Sequence, residues 1–296
     1  MGITTRTWEW PHTIVVVVAT LGVGVMVYPS AASWFSSIVH HDEVAGYVQS
    51  VESLPATDGQ SLLDDATAYN EALPDGPIRD PFVLNVQGEQ TAIGEGSDAY
   101  FQALVVPGTD VMARIRIPSI GVDLPIYHGT DDATLARGIG HIFGSALPVG
   151  GDGTHAVLTG HNGFAQATLF DDIDELDDGD LIIIKVLGRD LYYEVDQQLT
   201  VLPNETDELR KVPGHDYLTL VTCTPTGVNT HRLLVRAERV DAPSDDNGAY
   251  ALLDGTAPSG FPWWAVALIA TPIATLVLIR PRRRRAKTDA GRHVAA

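Results

Sequence analysis

The chain has one cysteine, Cys223, in 296 residues. An intrachain disulfide is therefore excluded, and with it the small exported domains that cystines hold together. Basic residues are scarce as well. Lys and Arg number 19 against 38 acids, yet seven of the basic residues follow Ile279 and one, Arg6, precedes the first apolar run. Between Tyr28 and Trp263 there remain 11 basic and 36 acidic residues, a net of −25. Such a surface repels a phosphate backbone, so nucleic acid is not an expected partner, whereas an amine or a basic peptide is drawn toward it. Internal repeats are absent, and the basic tail is the only biased tract. At 45% hydrophobic residues, the chain can bury one sizeable core with appendages rather than two full domains.

Long apolar runs occur only at the two ends. Ile14 to Tyr28 is uncharged and flanked by Trp8 and Trp10; Phe261 to Ile279 carries Trp263 and Trp264 at its start. Both have the aromatic flanks of a membrane interface. The second approaches the roughly 20 residues that a spanning helix needs. It runs directly into Arg280-Pro-Arg-Arg-Arg-Arg-Ala-Lys287, which predicts a cytoplasmic C-terminus. The first is shorter and holds Gly22 and Gly24. It reads as an uncleaved anchor, the alternative being a signal peptide cut near Ser30-Ala-Ala-Ser33. Either reading places the acidic middle outside the cell membrane.

Within that middle, Val44, Tyr47, Val48, Val51 and Leu54 fall at helical spacing, and Leu62, Ala66, Tyr69 and Leu73 repeat the pattern. Pro74, Gly76, Pro77 and Pro81 then break regular structure. From Val111 the texture becomes strand-like. Val111 to Ile117, Val122 to Ile126, His155 to Thr159, Leu181 to Val186, Leu191 to Leu202, Tyr217 to Cys223 and Arg232 to Val240 are candidate strands, with an eighth near His141 to Gly144. Many short strands with few helices between them predict a mainly β fold, an antiparallel barrel or sandwich. The expected organisation is an N-terminal anchor or signal segment (1–36), a helical region (37–75), a connecting segment (76–110), the β domain (111–241), a linker (242–260), a C-terminal transmembrane helix (261–280) and a basic tail (281–296).

Cys223 ends one candidate strand and opens into Thr224-Pro-Thr-Gly-Val-Asn-Thr-His-Arg232. A lone cysteine is commonly a small buried hydrophobe. As a nucleophile it would need a proton acceptor and a group to stabilise an oxyanion. Among the ten histidines, His12 and His293 are terminal, and His40 and His41 read as a solvated helix start rather than a metal site. His161 differs, because it follows a strand and sits in Gly160-His-Asn-Gly163, a setting that suits a general acid/base. Arg232 begins the strand after the cysteine loop. On an adjacent antiparallel strand its positive charge would favour a thiolate and could donate to an oxyanion.

Thr219-Leu-Val-Thr-Cys223, the following loop to Arg232, and Leu158-Thr-Gly-His161 resemble the signatures of sortases, most closely the pilin-polymerising class C. The similarity extends through Gly121-Val-Asp-Leu-Pro-Ile-Tyr-His-Gly129 and Leu147 to His161 and covers residues 40 to 241 in order. Thr226 departs from it, since the family commonly has an aromatic residue there. The resemblance implies an eight-stranded antiparallel β-barrel with Cys223 as nucleophile, His161 as general acid/base and Arg232 positioning substrate and oxyanion. It suggests Thr222 and Thr224 as substrate-binding residues. It also gives Asp80-Pro81-Phe82 the look of a lid, with Asp80 facing Arg232 and Phe82 covering Cys223.

The implied reaction is transpeptidation. An LPxTG-like sorting signal is cut between Thr and Gly, and the acyl group passes through a thioester to a lysine amine of a pilin subunit, with no metal or organic cofactor required. The alternatives are a housekeeping sortase that uses a cell-wall precursor as acceptor, a non-catalytic peptide-binding module, and a hydrolytic cysteine protease on another fold.

Overall fold

The computed structural model describes residues 10–74, 97–243 and 260–279. Asp80, Pro81 and Phe82, most of the expected linker and the basic tail lie outside the described residues. The chain divides into two compact units, Met1–Ala31 with Phe261–Ala296, and Ala32–Gly260.

Helix α1 (Trp10–Ser53) is 44 residues long and joins what the sequence suggested were an anchor and a separate helix. No Gly or Pro falls between Ala31 and His40, so nothing interrupts it there. His40 is consequently mid-helix and only 4% exposed, not a solvated start. His40, Val44 and Tyr47 form its buried stripe. The Tyr47 hydroxyl accepts from the Leu187 amide (3.0 Å) and donates to the Met112 carbonyl (3.1 Å), tying this part of α1 to the β domain. Pro55, which cannot donate to a helical ladder, separates α1 from α2 (Ala56–Ala72). Buried Asn70 of α2 donates to the Leu147 carbonyl (3.0 Å) and accepts from the Leu147 amide (2.7 Å). A short helix, α3 (Ser97–Gln102), was not foreseen from the sequence; it delivers the fully buried Tyr100.

Among the described helices, α1 alone is long and apolar enough to cross a membrane; α5 (Trp263–Ile279), with 17 residues, is apolar but shorter.

The β domain contains β1 (Ala113–Ile117), β2 (Val122–His128), β3 (Ile139–His141), β4 (Thr154–Thr159), β5 (Leu181–Val186), β6 (Arg189–Val201), β7 (Asp216–Thr224) and β8 (His231–Val240). A four-residue helix, α4 (Asp132–Leu135), lies between β2 and β3. The strands close into a barrel in the order β1-β2-β3-β4-β7-β8-β6-β5. Eight strands in a barrel is the expected architecture, and six of the eight pairings are antiparallel. The pairs β2–β3 and β4–β7 are parallel, which makes the barrel mixed. Parallel neighbours need a crossover rather than a hairpin. Between β4 and β7 that crossover contains β5 and β6.

Alternation along β4, β7 and β8 divides their side chains between two apolar environments. Leu158, Leu218, Leu220, Leu233 and Val235 belong to the main core. Val157, Val221 and Leu234 point the other way, into a smaller cluster with Ile142 and Leu209. Both faces of this part of the sheet are therefore covered, which is why these strands read as nearly continuous apolar runs.

Candidate active site

Cys223 lies on β7 directly opposite Arg232 of β8. On its other side β7 pairs in parallel with β4, where Thr159 is opposite Val221. The Gly160 amide donates to the Val221 carbonyl (3.2 Å), so pairing continues past the end of β4. Extending that register by two residues brings His161 level with Cys223. The segment leaving β4 thus carries His161 abreast of Cys223 on β7 and Arg232 on β8, on the face that also holds Val221 and Leu234. Val201 of β6, opposite Arg232, continues the row.

Cys223 and Arg232 are nearly buried, at 8% and 7% exposure. The Arg232 guanidinium donates from Nη1 to the carbonyls of Asn229 (3.2 Å) and His231 (3.1 Å), which fixes it against the loop after Cys223. His161 is half-buried, and its ring stacks on Phe164 with centroids 5.1 Å apart. Burial holds the imidazole below its ordinary pKa, with the Asp132 carboxylate acting in the opposite direction. A neutral ring is the form that can take a proton.

The glycines around His161 have different jobs. A Cβ at Gly160 would sit 2.8 Å from Ile139 Cδ1 and 2.9 Å from Phe170 Cδ2, so this position needs glycine for close packing. Gly163, at φ +73°, is the left-handed turn residue. The loop it starts is braced by Asp171, whose carboxylate accepts from the amides of Gly163 (2.7 Å) and Leu169 (2.8 Å). The Phe170 amide donates to the His161 carbonyl (3.0 Å).

Thr222 does not share the face of Cys223. It is fully buried on the barrel side of β7, and its hydroxyl donates to the Gly160 carbonyl at 2.7 Å. It thereby couples the strand end carrying Cys223 to the one carrying His161. The two-residue period of a strand was the signal: neighbours of an outward Cys223 point inward. Thr224, half-exposed at the end of β7, pairs with His231. Phe164, Asp171 and Asp132 had no local signature in the sequence, because each reaches His161 or its loop only through the folded chain.

The family model described as Sortase domain matches residues 115–240. In structure, sortase C-1 from Actinomyces oris is 49% identical, with a TM-score of 0.59, covering 64% of this chain and 100% of that one. The chain belongs to the sortase family. Its structural neighbours include class C sortases. One is sortase C of Streptococcus pneumoniae, a structure described as informing catalysis and pilin substrate specificity. It is 35% identical with a TM-score of 0.60, and the match covers 66% of this chain and 95% of that one. Among curated sequences, sortase A of Bacillus anthracis is 32% identical over 130 residues, 44% of this chain but only 60% of that relative. Sortases are cysteine transpeptidases, and this sortase has a single cysteine.

Proposed function

We propose that this sortase is a membrane-anchored transpeptidase of class C type, with Cys223 as nucleophile, His161 as general acid/base and Arg232 as the oxyanion and substrate donor. The observation that carries this reading is the alignment of these three residues, His161 just past the end of β4 beside Cys223 on β7 and Arg232 on β8. The Cys223 sulfur, its proton taken by His161, attacks the threonine carbonyl carbon of an LPxTG-like signal. Arg232 donates to the oxygen that becomes anionic. The C–N bond to glycine breaks, His161 returns the proton to the leaving amine, and a thioester remains on Cys223. A lysine amine then attacks the thioester carbon, gives up its proton to His161, and releases the cysteine with an isopeptide bond formed. The pilin character of the acceptor is supported by the class C neighbours.

The apolar run of α1 supports membrane anchoring, and the basic tail after α5 supports a cytoplasmic C-terminus. Anchoring would raise the effective concentration of membrane-bound substrates around the enzyme. Asp80 and Phe82 are proposed from their sequence as a lid over the site. In that case Asp80→Ala or Phe82→Ala speeds labelling of Cys223 by a thiol reagent, and unchanged labelling removes the lid.

The test is intact mass of the full chain in detergent, as wild type and as Asp80→Ala, after incubation with an LPxTG peptide. The expected result is an acyl adduct lost in Cys223→Ala and discharged by a pilin lysine into an isopeptide. Discharge only by a cell-wall precursor amine would make the enzyme a housekeeping sortase. A free acid as the main product despite abundant amine would make it a protease. No adduct with any of several sorting motifs would leave a peptide-binding module.

A further inference from the structure

We propose that Thr226 is a positioning residue that latches the loop after Cys223 onto the loop after His161, through Asn162 and Gly163. The proposal rests on the reading of Cys223 and His161 given above. Hydrogen bonding between the β4 and β7 segments reaches only Gly160; His161 then opens its own loop, while β7 runs on through Cys223 to Thr224 before the Cys223 loop begins. Each loop is braced within itself. Asp171 and Phe170 hold the His161 loop, while the amides of Val228 and Asn229 both donate to the Pro225 carbonyl at 2.9 Å in the Cys223 loop. Neither set of bonds connects one loop to the other.

Thr226 makes that connection. Its hydroxyl donates to Asn162 Oδ1 at 2.9 Å, one residue after His161. Its methyl carbon, Cγ2, lies where a Cβ on Gly163 would be, so the two loops approach as closely as a glycine allows. A β-branched residue suits this place, because its stiff χ1 fixes hydroxyl and methyl together. Thr226 thus bridges the two halves of the site. A reacting pair held on separate segments of the chain loses rate steeply when its spacing relaxes.

The test uses the full chain in detergent and follows the rate of Cys223 modification by a small alkylating reagent across about pH 5 to 10, a range spanning the usual imidazole and thiol pKa values. His161→Ala sets the profile of an uncoupled thiol. Thr226→Val, which keeps the methyl contact but loses the donor, is expected to slow modification near neutral pH roughly five-fold, the population change from losing one net hydrogen bond. Its profile should move toward that of His161→Ala. Asn162→Ala should do the same, and Thr226→Ser, which keeps the donor but loses the methyl contact, should stay closer to the wild-type profile than the valine variant. Melting temperatures should fall by only about 2–4 °C, the effect of losing one net hydrogen bond in a domain of this size. A Thr226→Val profile superimposed on the wild type, or a Thr226→Ser profile as altered as that of the valine variant, overturns the latch while leaving the catalytic pair intact. If His161→Ala itself leaves the wild-type profile unchanged, the pairing of Cys223 with His161 fails and the latch with it.

Discussion

At the scale of single residues, the proposed role of His161 as proton acceptor calls for a neutral ring. Burial lowers its pKa, and the carboxylate of Asp132, in the first turn of α4, counters part of that. Asp132→Asn should therefore lower the pKa of His161 further, and Phe164→Ala, which uncovers the ring, should bring it back toward the ordinary value. An NMR titration of the imidazole reads both directions; shifts of the opposite sign would mean that neither neighbour acts as described. Arg232 differs because its guanidinium is held by two backbone carbonyls of its own loop, so its position follows that of the chain after Cys223. Arg232→Lys retains the charge but not the planar fork. It is expected to acylate much more slowly than wild type while still binding peptide, and a rate close to wild type would remove Arg232 from the oxyanion role.

At the scale of elements, parallel strands β4 and β7 are tied at their catalytic ends by Thr222. Thr222→Val leaves the size of the side chain but strips the Gly160 carbonyl of this donor inside the barrel. A loss of about 1–3 kcal/mol is expected from an unmet buried acceptor, together with slower acylation, read by denaturant unfolding and single-turnover kinetics. A variant as stable as wild type would show that the carbonyl finds another donor. Helix α2 offers a second case, remote from the chemistry. Asn70→Leu removes both of its bonds to Leu147, and selective loss of exchange protection at the Leu147 amide is the expected sign. Global unfolding at the same denaturant concentration as wild type, with no local change, would contradict the clamp.

At the scale of the whole molecule, buried histidines make stability depend on pH. His141 is fully buried, within reach of the Ala146 carbonyl and the Tyr100 hydroxyl, and burial lowers its pKa to about 4. Burial also lowers the pKa of His128 and His155, with weaker opposing contributions from the carbonyls of Ala103 and Arg210. Below the unfolded-state value of about 6.5 the unfolded chain binds protons that the folded chain refuses. The stability they confer is thus present above that pH and lost as pH falls through it. Each group contributes up to about 1.4 kcal/mol per pH unit in that window. Asp216 acts in the reverse sense, since burial raises its pKa and acid relieves its cost. The melting temperature is expected to fall between about pH 7 and pH 5, and His141→Asn should flatten the fall; an equal slope in that variant would assign the effect elsewhere.

Local chemistry in the sequence was enough to place nearly every strand, because alternation and turn residues act over a few positions. It singled out Cys223, His161 and Arg232 because an unpaired cysteine, a glycine-flanked histidine and a strand-opening arginine are each unusual where they stand, and their combined motifs resemble one family. It did not reveal that α1 runs unbroken from Trp10 to Ser53, since an apolar run and an amphipathic run differ in pattern while sharing one backbone geometry. Nor did it give the parallel partners of β2 and β4 or the meeting of Thr226 with Asn162. Those depend on contacts between positions far apart in the chain, up to 64 residues in the last case. Only closure of the barrel brings them together, and no local periodicity encodes which distant strand becomes a neighbour.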